Sequence, residues 1–200
     1  MLNAALELFT SRGYEATTMQ DVADAAGVAV QTVYFGFRTK AQLLSEVGVR
    51  ALLRDGPTSA LRDQSWFAAI GKERDAHKVL VAFVTAASDI IGRITAFAEK
   101  VGASLRMDQD AVEDRDRQRD DFFRVLVDRL NALGALRPGL TPNRAMDIVR
   151  VTLTVEGYAD LLQRRGWTRD EWKALMVDML DRELLKPKPP IARNRGARSR

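Results

Sequence analysis

The sequence predicts an all-α protein of about nine helices arranged in two helical domains. Apolar residues recur at helical spacing along the whole chain, and no segment alternates between apolar and polar residues as a half-buried strand would. Hydrophobic residues make up 46% of the 200 residues and charged residues 29%, which is the balance of a globular protein rather than a disordered one.

The first two helices are delimited by glycines and by a capping residue. An apolar stripe over residues 2–12 predicts the first helix, which Gly13 ends. Thr18 begins the second helix, and Asp21 stands three residues later, where it completes a capping box. Gly27 ends this second helix.

Two further helices complete the N-terminal region. A short third helix is expected over roughly residues 30–35. Thr39 caps a fourth helix, again with a suitable capping partner, Gln42, three residues later. The segment Asp55-Gly56-Pro57, followed by an irregular stretch that includes Trp66, indicates the boundary between the domains.

Five helices are predicted in the second domain. The first of them is apolar on nearly every side, which is typical of the central helix of a bundle. Thr141-Pro142 and Thr168 are helix-start signals. The predicted spans are 75–92, 94–105, 109–133, 142–165 and 168–185.

Several classes of function are excluded or disfavoured by composition. The chain has no cysteine and one histidine, His77, so disulfides, thiolate sites and multi-histidine metal sites are excluded. Asp and Arg alternate over 108–121, which indicates a solvated helix face rather than a metal site. No glycine-rich phosphate loop, signal peptide or apolar run of about 18 residues is present. We therefore expect a cytoplasmic protein that is not an enzyme and has no cofactor, no metal and no membrane partner.

The net charge of +4 is unevenly distributed. Residues 186–200 carry six Lys or Arg residues and no acid, so the rest of the chain has a net charge of −2. Such a tail often contacts nucleic acid, but the prolines in it favour a disordered, solvated end. The expected organisation is a domain over 1–54, a helical domain over 55–185 and this tail over 186–200.

Residues 18–37 contain the motif that indicates function. Two short helices meet at Gly27, and the small Ala23 four residues earlier lets them approach closely. Val28 and Val33 fill the wedge between the helices. This pattern is typical of a helix-turn-helix, in which the third helix enters the DNA major groove and the second lies across the backbone.

The stretch from about Leu2 to Leu53 resembles the TetR/AcrR family of bacterial transcriptional regulators. The matching residues are Ala4-Ala5-Leu6-Glu7-Leu8-Phe9, Gly13-Tyr14, Thr17-Thr18, Val22-Ala23, Ala26-Gly27-Val28, Thr32-Val33-Tyr34, Phe37, Lys40 and Leu43-Leu44. The resemblance implies a DNA-binding helix-turn-helix domain followed by a helical ligand-binding and dimerisation domain. It also implies a homodimeric repressor of a palindromic double-stranded DNA operator, released by a small, mostly apolar effector.

The third helix supplies the expected base contacts. Gln31 can pair with the N6 and N7 atoms of adenine, and the Thr32 methyl group can meet a thymine methyl. Val30 can make only apolar or shape contacts.

Four other side chains are expected at phosphates. Thr17 and Thr18 lie at a helix N-terminus, where hydroxyl and N–H groups can hold a phosphate, although Thr18 can serve as a cap alone. The resemblance makes Tyr34 a phosphate contact, and the alternative is packing on the fourth helix. Lys40 is expected to clamp a second-strand phosphate unless it is an ordinary surface lysine.

The sequence departs from the family pattern in three places. Ala29 stands where a serine usually caps the third helix, and Gly36 stands where a DNA-facing residue is often found. The chain also begins inside the first helix, without the usual basic arm. Residues 1–55 carry a net charge of −1, so we expect weak, salt-dependent non-specific DNA binding.

The second domain is expected to hold the dimer interface and the effector. Helices 142–165 and 168–185 are the candidates for pairing with a second copy. Glu156 draws attention because a carboxylate within an apolar helix needs a partner such as Arg119 or a polar ligand. Plain core packing is the alternative for each residue of the candidate pocket, which comprises Phe83, Ala87, Ile90, Phe97, Arg119, Phe122, Leu126, Thr152 and Glu156. The alternative for the whole chain is a helical protein-interaction module with a non-functional helix-turn-helix.

Overall fold

The computed structural model of the protein describes residues 1–52, 65–101 and 109–187, and these ranges are almost entirely helical. Within them, the only β contact is an isolated bridge between Leu136 and Leu185. The all-α prediction is thereby confirmed. The helices are α1 (Leu2–Arg12), α2 (Met19–Ala26), α3 (Val30–Phe37), α4 (Lys40–Leu52), α5 (Ser65–Lys72), α6 (Ala76–Val101), α7 (Gln109–Ala132), α8 (Pro142–Thr152), α9 (Val155–Ala159), which continues into a π-helical turn (Asp160–Arg164), and α10 (Arg169–Leu184).

The predicted capping boxes are present at the starts of α2 and α10. The Thr18 hydroxyl accepts the N–H of Asp21 at 3.1 Å, and the Asp21 carboxylate accepts the N–H of Thr18 at 2.7 Å. Thr168 and Glu171 make the same reciprocal pair in α10. Local sequence signals therefore fix these helix starts without help from distant residues.

The prediction for Trp66 was wrong, because this residue lies in helix α5 and not in an irregular stretch. Its ring stands edge-on against Phe83 at 6.5 Å and against Phe122 at 5.6 Å between ring centroids. Packing on these two aromatic rings supports a helix of only 8 residues. The predicted boundary at 55–57 lies outside the described residues.

The two predicted helices over 75–92 and 94–105 are one continuous helix, α6, of 26 residues as far as Val101. Gly92 does not end it, because its backbone stays helical and its missing side chain makes room for other groups. A Cβ atom at Gly92 would lie 2.9 Å from the Tyr158 hydroxyl and 2.8 Å from Nη2 of Arg169. The glycine is therefore a site of close helix packing.

The predicted helix over 142–165 is divided, which corrects a third expectation. Helix α8 ends at Thr152, and the Thr154 hydroxyl then accepts the N–H of Gly157 at 3.1 Å to begin α9. A threonine that caps in this way offers the backbone an alternative to continuing the helix. The break turns Tyr158 inward, where it is buried and packs edge-on against Trp172 at 5.0 Å.

Helix α6 contributes to both hydrophobic cores of the described chain. Its buried residues from Val79 to Ile91 belong to the core of the helical bundle. Val101 at its end is 1% exposed and belongs instead to the core of α1–α4. Among the described helices, α6 alone is long and apolar enough to cross a membrane, yet 56% of its most apolar window is buried in the bundle. Packing in the two cores accounts for its composition.

We predict opposite effects for alanine at two helical glycines. Gly92→Ala should lower the free energy of unfolding by about 1–3 kcal/mol, because the new methyl group would displace the buried Tyr158. Gly71→Ala is the matched control: among the described residues, no heavy atom beyond its chain neighbours and local helix backbone lies within 4 Å of its Cβ position, so it should leave stability unchanged or raise it by up to about 1 kcal/mol. Urea unfolding of both variants tests this, and equal effects would contradict it.

Candidate nucleic-acid interface

Helices α2 and α3 meet in the geometry of a helix-turn-helix. Gly27 adopts the left-handed conformation with φ of 66°, and the N–H of Val28 donates to the Ala23 carbonyl at 3.0 Å. Ala23 and Val33 are each 0% exposed, so the two helices lie in close contact. The turn and the buried side of α3 together fix which side chains of α3 face outward.

The outward face of α3 is formed by residues one helical turn apart. Gln31 and Thr32 are exposed, and Phe35 follows on the same face with 92% of its surface exposed. Tyr34 flanks this face and is 51% exposed, and its phosphate contact stays a prediction beside the alternative of packing on α4. Val30 is half-buried and packs against the core of α1–α4.

Thr17 is placed differently from the phosphate contact that we expected. Its side chain is 0% exposed, and its hydroxyl donates to the Gly13 carbonyl at 2.9 Å. The hydroxyl therefore stabilises the connection between α1 and α2 from inside. Thr18 is exposed, but its hydroxyl is engaged with Asp21 on both sides: it accepts the N–H and donates to the carboxylate at 2.6 Å.

Lys40 is also placed differently from the phosphate clamp that we expected. Its ammonium donates to the carbonyls of Tyr14 and Thr17, each at 2.9 Å, and to that of Glu15 at 3.4 Å. It also lies 4.2 Å from the centroid of the Tyr14 ring. Three carbonyls match the three N–H donors of an ammonium group, so Lys40 fastens the start of α4 to the α1–α2 connection.

Sequence reasoning missed two exposed residues at the end of α3. Phe35 could have been found from helical phase, because it lies four residues after Gln31. Arg38 ends the helix with φ of 40°, donates its N–H to the Tyr34 carbonyl at 2.9 Å and keeps its side chain exposed. No side-chain hydrogen bond caps the start of α3 at Ala29, as its missing hydroxyl implied.

Four of the residues proposed for the effector pocket form a tightly packed core. Phe83 stacks on Phe122 at 4.7 Å between ring centroids, and Ala87 and Leu126 are each 0% exposed beside them. Ile90 is half-buried against the same core. This placement agrees with both interpretations of these residues, as plain core and as the lining of an effector pocket.

Two other pocket residues, Phe97 and Glu156, are placed differently from the expectation. Phe97 packs against the core of α1–α4, 3.5 Å from the Cβ position of Gly48, because α6 continues into that domain. Glu156 is exposed, since the break before α9 turns it outward. Thr152 donates its hydroxyl to the Ile148 carbonyl at 2.7 Å.

A polar cluster lies on α7 and α8 instead. Arg119 pairs with Asp116 at 3.2 Å rather than with Glu156, and Arg150 pairs with Asp120. Nε of Arg119, Nε of Arg150 and Oδ1 of Asp120 are buried and have no hydrogen-bond partner among the described residues. These atoms can each form one further hydrogen bond.

The described site thus defines a helix-turn-helix protein whose recognition helix is anchored on one side and exposed on the other. Residues 1–47 match the family model described as bacterial regulatory proteins of the tetR family. This match covers about a quarter of the chain, and it shows that the N-terminal region is similar to that of the tetR family regulators.

Comparisons with individual proteins agree with this assignment. The chain is 40% identical over 47 residues to the transcriptional repressor KstR2 of Mycolicibacterium smegmatis, an alignment that covers 24% of this chain and 23% of that repressor. It thus spans about a quarter of the length of the KstR2 relatives it matches. It is 26% identical over 138 residues to the uncharacterized HTH-type regulator YhgD of Bacillus subtilis, covering 69% of this chain and 71% of YhgD.

The whole fold is similar to that of solved regulators. The structure of FadR from Bacillus subtilis in complex with stearoyl-CoA aligns over 90% of this chain and 95% of FadR, with a TM-score of 0.62 and 16% identity. At this identity the likeness establishes the fold, which extends the match from the helix-turn-helix to the helical bundle.

We predict that Lys40→Met destabilises the N-terminal domain, because the substitution removes hydrogen bonds from a charged donor to three carbonyls. The loss should be about 1–3 kcal/mol in the free energy of unfolding. Lys100→Met, at an exposed lysine of α6, is the control and should change it little. The contradicting result is a Lys40→Met variant that is as stable as the wild type but releases fewer ions than the wild type on DNA binding. That result would show that Lys40 contacts a phosphate.

The pKa of Asp21 provides a second test of the capping box. The Thr18 hydroxyl, and then the Thr18 backbone N–H, hold this pKa below its ordinary value of 3.8. The stabilisation is therefore fully present above pH 3.8 and is lost as the pH falls through the lower pKa of the folded state. NMR titration should show that Thr18→Ala raises the Asp21 pKa, whereas Thr10→Ala leaves it unchanged. An Asp21 pKa of 3.8 in the wild type would contradict the assignment.

Proposed function

We propose that this protein is a cytoplasmic, sequence-specific DNA-binding regulator that acts as a homodimeric repressor of a palindromic operator. A small, mostly apolar effector would release it. The observation that carries the proposal is the exposed face of α3, held on a buried helix-turn-helix core and presenting Gln31 and Thr32 outward.

The chemistry of this face suits the major groove of DNA. The Gln31 amide can donate to and accept from the edge of an adenine, and the Thr32 methyl can contact a thymine. Tyr34 and Arg38 at the end of the helix are exposed donors suited to phosphate oxygens. We assign no phosphate contact to Thr17 or Lys40, because carbonyl groups already engage them.

Dimerisation follows from the limited reach of one recognition helix. One such helix reads too few base pairs for a unique site, and two-fold related helices read half-sites about 34–36 Å apart or a multiple of that. The C-terminal helices offer apolar surface for a second copy. Val151 of α8 is 75% exposed and Met179 of α10 is 42% exposed, and burial of these side chains against a second copy would remove apolar surface from water.

Effector control is supported by the way α6 joins the two cores. A ligand that separates the packed Phe83 and Phe122 rings would act on α6, whose end contacts α1 and α4. The related fold of FadR was solved with stearoyl-CoA, a molecule with a long apolar chain. The unpartnered polar atoms of Arg119 and Arg150 could receive a polar group of such an effector. Regulation would be a population shift between dimers that fit and do not fit the operator.

The DNA-reading surface is tested by Gln31→Ala and Tyr34→Ala. Each variant should weaken binding to the preferred duplex about tenfold or more, because a bidentate base contact or a phosphate contact is lost. Both side chains are exposed, so the melting temperature should not change. Gln163→Ala, at an exposed glutamine of the π-helical turn, is the control.

Retention of DNA binding by both variants would contradict the assignment of the reading surface. If the wild type binds no duplex selectively, the chain is better explained as a helical protein-interaction module. Fluorescence anisotropy at fixed salt concentration provides the measurement in each case, since protein–DNA affinity falls steeply with salt.

The dimer is tested by Val151→Glu. A carboxylate at this exposed position should leave the fold intact but oppose burial of α8 against a second copy. Light scattering should give about twice the chain mass of 22.3 kDa for the wild type and a single chain for the variant. Val81→Glu, at an apolar α6 residue that is 40% exposed, is the control and should remain dimeric. An unchanged mass for Val151→Glu would exclude α8 from the interface.

A further inference from the structure

The side chain of Phe35 is the most exposed large apolar side chain among the described residues, at 92%. The others in this class, such as Val151 at 75% and Met179 at 42%, are partly covered. A phenylalanine ring is among the side chains with the most to gain from leaving water. A ring kept almost wholly in solvent therefore has its apolar surface available to a partner.

The position of Phe35 identifies the kind of partner. It lies one turn after Gln31 and Thr32 on the same face of α3, and the buried Val33 anchors the opposite side of the helix. Gly36 follows it with no heavy atom within 4 Å of its Cβ position. A bulky partner can therefore approach the end of α3 closely.

The surroundings of the ring favour duplex DNA over a second copy of this chain. Its neighbours on the face, Gln31 and Thr32, carry hydrogen-bonding groups, and Arg38 just after the helix is basic. An interface with a second copy would need apolar neighbours to enclose the ring. A polar, positively flanked face instead matches the base edges and phosphates of a major groove.

The chemistry of the ring selects one feature of that groove. Phenylalanine has no donor or acceptor, so it can bond neither to a phosphate nor to the polar edge of a base. The apolar group that the major groove offers is the 5-methyl of thymine. We infer that Phe35 reads a thymine methyl in each half-site, an inference that rests on the proposed DNA-binding function.

The experiment removes the methyl group and the ring separately. Each thymine of the duplex preferred by the wild-type protein is replaced in turn by deoxyuridine, which lacks only the methyl. Affinities are measured for the full-length wild type, Phe35→Ala and Phe35→Leu. Val81→Ala, which shortens an exposed apolar side chain of α6, is the matched control.

We expect one thymine per half-site at which deoxyuridine weakens wild-type binding by about threefold to tenfold. Phe35→Ala should bind the unmodified duplex about tenfold more weakly and should be insensitive to deoxyuridine at that position, because ring and methyl contribute through one contact. Phe35→Leu should keep part of the sensitivity. The melting temperature should not fall in either variant, since the ring contributes nothing to the core.

Three results would overturn the inference while leaving DNA binding in place. In the first, no deoxyuridine substitution weakens wild-type binding. In the second, Phe35→Ala is as sensitive to deoxyuridine as the wild type at every position. In the third, the preferred duplex has no thymine in its half-sites. A change in oligomeric mass on Phe35→Ala without DNA would show that a second copy covers the ring. If the wild type selects no duplex at all, the proposed function fails together with the inference.

Discussion

The structure depends on the continuity of α6, which belongs to two hydrophobic cores at once. Its first four turns are buried among α5, α7 and α10, and its last residue, Val101, is buried among α1–α4. The Val101 carbonyl also accepts the N–H of Tyr14 at 3.1 Å. Any movement of the end of α6 would therefore alter its contacts with the core of α1–α4.

Tyr14 lies where this connection meets the domain that carries the recognition helix. Its N–H is bound by α6, and its carbonyl accepts the ammonium of Lys40 at the start of α4. The same ammonium binds the Thr17 carbonyl just before α2. The lysine that sequence reasoning assigned to DNA thus belongs to the junction between the domains. It stabilises the helix-turn-helix from the side opposite α3's exposed face, which stays accessible to a partner.

Sequence reasoning succeeded where the determining interactions are local. The capping boxes at Thr18 and Thr168 and the turn at Gly27 involve residues within a few positions of one another, so their spacing reveals them. It failed where contacts between residues that are distant in the sequence determine the placement of a side chain. Nothing near Gly92 shows that Tyr158 will fill the space beside it, and nothing near Lys40 shows that three carbonyls lie within its reach. Two of the proposed pocket residues belong to this second group: Phe97 and Glu156 have suitable helical phase, but the continuity of α6 and the break before α9 place them elsewhere.

The most direct test of the central claim is selection of bound sites from a random duplex pool at about 100 mM salt, with the full-length protein. The account predicts an enriched inverted repeat, with half-site centres one helical turn of DNA or a multiple of it apart. That spacing would also give the distance between the two α3 helices of the dimer. Enrichment of no sequence, or of a single site without two-fold symmetry, would contradict a dimeric regulator that reads DNA through α3.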